Sequence, residues 1–299
     1  MIFASNLTKT FGTTVALDNI DLSISKGQVF GLIGSNGSGK STLLRILSGV
    51  YLADSGKALI EDQEVLDNPA LKSKIFFLSD TPYYFTNATL KEMATFYSKM
   101  YKSFSYERLN ELSKVFPIDH NTKMNNMSKG MMRQASIMLA FASMPDYLFL
   151  DEAFDGLDPV MRESLKRLIT KDIIDRNLTV IITSHNLREL EDMCDRVGLL
   201  HKGKIIFNDN LENLKGKVHK VQAAFSGVQS IENFKGLEIL KFERTGSMVQ
   251  LVARGQRDDI LEHINKMQPI LLESILPTLE ELFIFELGGL GYDFTEILE

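Results

Sequence analysis

The sequence predicts an α/β protein: a mainly parallel sheet with helices, an antiparallel β segment ahead of it, and a small α+β domain after it. Three observations carry that reading. Short apolar runs at 29–33, 147–150 and 179–183 alternate with stretches of helical spacing, the order that builds parallel sheets. A glycine-rich loop joins the first run directly to a helical one. After Gly203 the texture changes to closely spaced strands with few helices.

Residues 2–8 and 14–24 read as strands, followed by a Lys26-Gly27 turn. Val-Phe-Gly-Leu-Ile at 29–33 suits a buried strand, and Leu43, Leu44 and Leu47 give 41–47 a helical face. Leu90, Met93, Tyr97, Met100 and Tyr101 recur at three- and four-residue steps, so 86–116 reads as mostly helical. A helix is expected over 135–144, bounded by Pro145. The strands at 147–150 and 179–183 flank a helix at 160–174, with Pro159 near its start, where proline is tolerated. Beyond Gly203, strands are expected at 217–225, 237–244, 247–253 and 270–275, and helices at 256–267 and 278–286. Gly246 fits a hairpin. The expected domains are 1–212, with a helical subdomain over about 82–142, and 213–299.

Composition narrows the class. At 299 residues, 44% apolar and 24% charged, the chain is globular and long enough for one large domain or two average ones. No run reaches about 18 apolar residues, so no membrane-spanning helix is expected. The first residues have no long apolar stretch after a basic head, so no secretory signal is expected. The single cysteine, Cys194, precludes an internal disulfide framework and fits a reducing compartment. The net charge of −6 argues against general nucleic-acid binding. Residues 1–210 are nearly balanced, with 24 basic and 25 acidic side chains, so most of the negative charge lies in the last third.

The segment Gly34, Ser35, Asn36, Gly37, Ser38, Gly39, Lys40, Ser41 matches the phosphate-loop pattern G-x4-G-K-[ST]. Glycines let the backbone wrap a phosphate, amide groups and a helix N-terminus point at it, and the lysine neutralises the outer phosphates. Ser41 would ligate Mg²⁺, and Thr42 follows it. The chain is therefore expected to bind a nucleoside triphosphate. At 147–152, an apolar strand ends in Asp151 and Glu152, where ligands sit in an α/β sheet. Asp151 would hold the Mg²⁺ shell, and Glu152 would polarise water for attack on the γ-phosphate. A third apolar strand ends in His185. His120, His201, His219 and His263 read as surface residues, and Cys194, which follows a helical pattern, as a packing residue rather than a nucleophile.

Taken in order, these residues resemble the ATP-binding subunits of ABC transporters, over roughly residues 2–210. Further marks agree with that resemblance. Phe11 matches the aromatic that stacks on adenine. Ser128, Lys129, Gly130 and Met131 match the signature loop, Asp158 the acid of the loop after the catalytic glutamate, and His185 the switch histidine. The resemblance implies an ATP- and Mg²⁺-dependent ATPase with the P-loop cassette fold. Within the family the chain looks like bacterial drug or peptide exporter ATPases whose membrane subunit is separate. Lys129 replaces the usual first signature glycine and Met131 the usual glutamine. Asp80 stands where the family usually has a glutamine that reaches metal and water, and could still touch a metal-bound water.

The family mechanism implies two chains packed head to tail, each ATP held by Lys40 of one chain and Ser128 of the other. Partners implied are a transmembrane permease subunit and a second ATPase subunit, a homodimer or a paralogue, with no nucleic acid. The implied location is the cytoplasmic face of the cell membrane. Ten of the 27 aromatics fall in 76–106, and Tyr83, Tyr84 and Phe85 are candidates for a contact surface toward the permease. The 277–283 segment looks like the closing helix of such exporters, implying regulation or dimer support. Alternatives are a nucleotide-gated regulator and a non-transport ATPase of the same fold. A GTPase is disfavoured because no Asn-Lys-x-Asp motif occurs.

Overall fold

The computed structural model describes residues 1–289; residues 290–299, the end of the expected C-terminal domain, lie outside the described residues. The chain divides into two compact units, one spanning Met1–Asn208 and one beginning at Asp209.

The first unit opens with β1 (Ile2–Phe11) and β2 (Thr14–Ile24), paired antiparallel. Next come β3 (Val29–Ile33), α1 (Lys40–Leu47), β4 (Ser55–Ile60), β5 (Gln63–Glu64), α2 (Pro69–Lys72) and β6 (Ile75–Leu78). A helical segment holds α3 (Leu90–Met100), α4 (Tyr106–Leu112) and α5 (Lys129–Ala142). The chain then runs through β7 (Tyr147–Asp151), α6 (Pro159–Arg176), β8 (Thr179–Ser184), α7 (Leu187–Leu190), β9 (Arg196–His201) and β10 (Lys204–Asn210).

Two sheets result, ordered β2-β1-β4-β5 and β10-β9-β3-β8-β7-β6. In the second, β3 pairs parallel with β8 and β9, and β7 with β6 and β8. Every residue of β3, β7 and β8 is buried, as expected of central parallel strands covered on both faces. Ile2, Leu17, Phe30, Leu44 and Phe149 share one buried cluster, which locks the antiparallel sheet, α1 and the parallel sheet together. Each such side chain contributes ~1.5–3 kcal/mol by leaving water.

Helices depart from the expectation where local capping outcompetes apolar spacing. The 86–116 stretch is not one helix. The first part starts at a capping box of Thr89 and Glu92 and stops at Tyr101, and Ser105 caps the next. The helix expected at 135–144 begins earlier, at Lys129, because Ser128 caps it by accepting from the Met131 amide.

The second unit contains α8 (Leu211–Lys217), β11 (Val218–Ala224), β12 (Glu238–Thr245), β13 (Met248–Arg254), α9 (Arg257–Asn265), β14 (Leu271–Ile275) and α10 (Leu279–Gly289). Its antiparallel sheet is ordered β12-β13-β11-β14, with the hairpin at Gly246 between β12 and β13. Alternating Val221, Ala223, Val249, Leu251 and Ala253 meet Ile260 and Ile264 of α9 in a core of its own.

Candidate functional site

Three neighbouring parallel strands, β3, β8 and β7, end side by side. Ile33 is registered with Ser184, and Asp151 with Thr183. The glycine loop, the Asp151-Glu152 pair and His185 therefore emerge at one edge of the sheet, although more than a hundred residues separate the first from the others.

The loop passes into α1 at Gly39, whose φ of 111° is a conformation that L side chains rarely adopt. A Cβ there would also lie 2.4 Å from the Ala16 carbonyl oxygen. Gly39 supplies no side-chain cap and the first turn of α1 holds no acid, which leaves the amide groups of that helix start available to an anion. Lys40, the first residue of α1, is buried. Its ammonium donates to the carbonyls of Gly34 at 2.6 Å and Ser35 at 3.2 Å. Ser38 Oγ is buried and has no hydrogen-bond partner among the described residues. A buried cation and an unsatisfied hydroxyl beside free helix amides are what an entering phosphate would satisfy.

Asp151 is buried at the end of β7, and its Oδ1 accepts the Thr183 hydroxyl at 2.8 Å. Its Oδ2 is buried and has no hydrogen-bond partner among the described residues. Glu152 has φ 50°, an uncommon value for a residue with a side chain, and its amide donates to Thr183 Oγ1 at 3.0 Å. Glu152 Oε1 lies 3.4 Å from Lys40 Nζ, an ion pair without an aligned hydrogen bond. Glu152 Oε2 lies 3.0 Å from His185 Nδ1. Glu152 and His185 also form a cluster with Asp155, their ligand atoms within 4.8 Å of one another.

A cleft of about 270 Å³ opens over this edge, lined by Thr14–Ala16, Asn36–Thr42, Asp80 and Glu152. The residues fit a hard divalent cation: Asp151 offers an unsatisfied carboxylate oxygen, and Ser41 and Asp80 are oxygen donors on or beside the cleft. Phe11, exposed at the end of β1, meets Tyr51 edge-on at 5.6 Å with Lys9 over its ring. It is not among the cleft-lining residues, but Thr14, three residues on, is.

The expected signature residues are elsewhere. Ser128, Lys129 and Met131 are exposed and Gly130 half-buried, and none lines this cleft. Asp158 caps α6 by accepting from the Met161 amide at 2.9 Å. Tyr83 and Phe85 are exposed and Tyr84 half-buried. Nearby, Val50, Phe77, Phe96, Tyr97 and Met100 line a predominantly apolar groove of about 560 Å³.

Two residues that sequence reasoning missed are tied to the site. Thr183 touches both acids, and its only signal was a polar residue late in an apolar strand. Arg133 on α5 binds Asp80, a long-range pairing with no local signature. Some expectations are corrected. His219 is buried on β11 rather than on the surface, because it shares the inward face of Val221 and Ala223, while His120, His201 and His263 are half-buried. Cys194, just beyond α7 and a turn, is buried against Gly31 as a packing residue, and burial raises its thiol pKa far enough to keep it protonated and inert.

Comparison with known proteins agrees with this geometry. The family described as ABC transporter matches residues 17–155. The chain is 29% identical to the ABC transporter ATP-binding protein YtrB of Bacillus subtilis, over 97% of this chain and 99% of that one. It is 30% identical to the bacitracin transport ATP-binding protein BcrA of Bacillus licheniformis, over 74% of this chain and 73% of that one. Among solved structures, it resembles the dimeric structure of MJ0796, a bacterial ABC transporter cassette. That match has 26% identity and a TM-score of 0.65, covering 71% of this chain and 99% of the other.

Proposed function

The chain belongs to the ABC transporter family as an ATP-binding, ATP-hydrolysing subunit, and from that premise we propose that it powers export through a separate transmembrane permease subunit. Two cassettes close head to tail on ATP, and hydrolysis releases them. The observation that carries the site assignment is the convergence of Lys40, Glu152 and His185 at adjacent strand ends, with Glu152 within 3.4 Å of both.

Each residue's part follows from its position. Backbone amides of 34–39 and the start of α1, with Ser38 and Thr42, cradle the phosphates, and Lys40 exchanges its carbonyl partners for phosphate oxygens. Ser41 and Asp151, with Asp80 beside them, would hold Mg²⁺, which offsets phosphate charge when bound. Glu152 takes the proton of the attacking water, and His185 holds the carboxylate and the γ-phosphate in line. Phe11 offers a face for the adenine. Residues 128–131, exposed but for half-buried Gly130 and outside their own chain's cleft, close on the nucleotide of the other chain, and Asp158 lies at the same junction. A second cassette also excludes water, which the open cleft does not.

The apolar groove beside α3 suits an amphipathic helix of the permease, with Tyr83 and Phe85 at its edge. Among the described residues no helix is long and apolar enough to cross a membrane; in this reading the chain attaches at the cytoplasmic face through that permease helix. The relative named for bacitracin transport favours a drug-, peptide- or lipid-like cargo.

The test is Glu152→Gln in size exclusion with and without Mg-ATP, beside wild-type turnover. A shift to dimer with ATP, and hydrolysis lost in the variant, is expected. Tight ATP binding without a shift would make the second cassette a different protein. Inside-out vesicles carrying chain and permease should take up a lipophilic drug or peptide when ATP is added; loss from the lumen would reverse the direction. Tyr83→Ala/Tyr84→Ala should weaken co-purification with the permease.

A further inference from the structure

Arg133 is 2% exposed on α5, five residues after the cap Ser128. Its guanidinium donates to the Ser79 carbonyl at 3.1 Å, the Asp80 carbonyl at 2.7 Å and Asp80 Oδ1 at 3.0 Å. The Asp80 side chain is 53% exposed, and the residue lines the same cleft as Lys40, Ser41 and Glu152. An unpaired carboxylate there would add a negative charge where Asp151 and Glu152 already sit and a polyphosphate must enter. Like charges at such range oppose binding.

We propose that Arg133 is a positioning residue for the nucleotide site: it cancels the charge of Asp80, so that this side chain borders the cleft as a net-neutral acceptor. It also ties the segment after β6 to the helix that Ser128 caps. With Oδ1 engaged by the guanidinium, Oδ2 is the oxygen left to accept a hydrogen bond from the cleft. Two of the three donations go to backbone carbonyls, so the tether survives neutralisation of Asp80 while the charge balance does not. The proposal deepens the nucleotide reading above and rests on it.

The experiment measures binding of a fluorescent ATP analogue to the full chain in EDTA, so that no metal contributes, alongside thermal melting. Arg133→Gln should weaken binding about tenfold, the scale of one uncompensated charge in a partly solvated cleft. Asp80→Asn should bind at least as tightly as wild type. Asp80→Asn/Arg133→Gln should return to within about threefold of wild type. Loss of affinity in Arg133→Gln but not in Asp80→Asn, with rescue in the double, is not what a merely structural arginine would give. Weaker binding by Asp80→Asn, or a double variant no better than Arg133→Gln, overturns the proposal. If Arg133→Gln does not fold, Arg133→Lys and Asp80→Asn decide: retained charge should preserve affinity, and its loss in either overturns the idea. A wild-type chain that fails to bind the analogue would instead overturn the nucleotide reading.

Discussion

Thr183 stands opposite Asp151 in the parallel register of β8 and β7, and its hydroxyl donates to Asp151 Oδ1 at 2.8 Å while accepting the Glu152 amide at 3.0 Å. One hydroxyl thus fixes the acid at the strand end and holds the residue after it at φ 50°. The left-handed turn aims Glu152 at Lys40 and His185 rather than along the strand. Such strain costs ~1–3 kcal/mol and persists only where neighbours hold it.

Thr183→Val tests that role. Valine keeps the shape and the strand preference, so what is lost is the hydroxyl. Burying one oxygen and one amide without their partner should cost ~1–3 kcal/mol of stability in urea denaturation. ATP turnover should fall as well, because Glu152 loses its anchor, while nucleotide affinity changes little. Unchanged turnover would separate Thr183 from the chemistry.

His185 meets Glu152 at 3.0 Å but does not line the phosphate cleft, so its removal should affect rate more than binding. His185→Ala is expected to lower kcat by ~10²–10³. Affinity for an ATP analogue in EDTA should remain within about threefold of wild type. A variant that loses affinity in parallel with rate would make His185 a binding group instead.

The legibility of the chain followed the length and burial of its elements. β3, β7 and β8 are short, wholly buried and apolar through their middles, so they could be read directly as strands, with Lys40, Asp151, Glu152 and His185 at or just beyond their ends. By contrast β4 is exposed over its first three residues, half-buried at Ala58 and Leu59 and buried only at Ile60, with Gly56 near its start, so no alternation announced it. β9 and β10 carried no expectation either. The break between α3 and α4 was written in Ser105 rather than in apolar spacing. Arg133–Asp80 and Thr183–Asp151 join residues 53 and 32 apart. Strand order brings Thr183 to Asp151, and the packing of α5 brings Arg133 to Asp80; spacing along one chain encodes neither.

Away from the cleft, Glu61 accepts from Lys74 at 2.6 Å and from the Tyr147 hydroxyl at 3.2 Å. The Lys74 hydrogen bond lowers the Glu61 pKa below its usual 4.5, against the opposing effect of burial, and the same bond raises that of Lys74 above 10.5. A depressed carboxylate contributes stability above its unfolded pKa and loses it as pH falls through the lower folded value. A raised ammonium contributes below its unfolded pKa and loses it as pH rises through the folded one. Both side chains are partly exposed, so the pair is worth no more than ~1 kcal/mol. Glu61→Gln should therefore lower Tm at pH 7 by about 2–4 °C, and the gap should close at acid pH below 4.5. An equal gap at pH 3 and pH 7 would exclude the ion pair as its cause.

Ser128 holds two roles that a pair of substitutions can separate. Its hydroxyl accepts from the Met131 amide at 3.2 Å and so caps α5, a local contribution any good cap would make. Ser128 is also exposed and outside its own cleft, as a residue serving a second chain would be. Ser128→Ala should cost ~1 kcal/mol of stability, whereas Ser128→Gly, a tolerated cap, should cost only a few tenths. If the hydroxyl also meets phosphate across a dimer, both variants should lose ATP-driven dimerisation equally in a Glu152→Gln background, irrespective of that difference in stability. Dimerisation that tracks stability, impaired in the alanine variant and intact in the glycine one, would reduce Ser128 to a helix cap and remove it from the shared site.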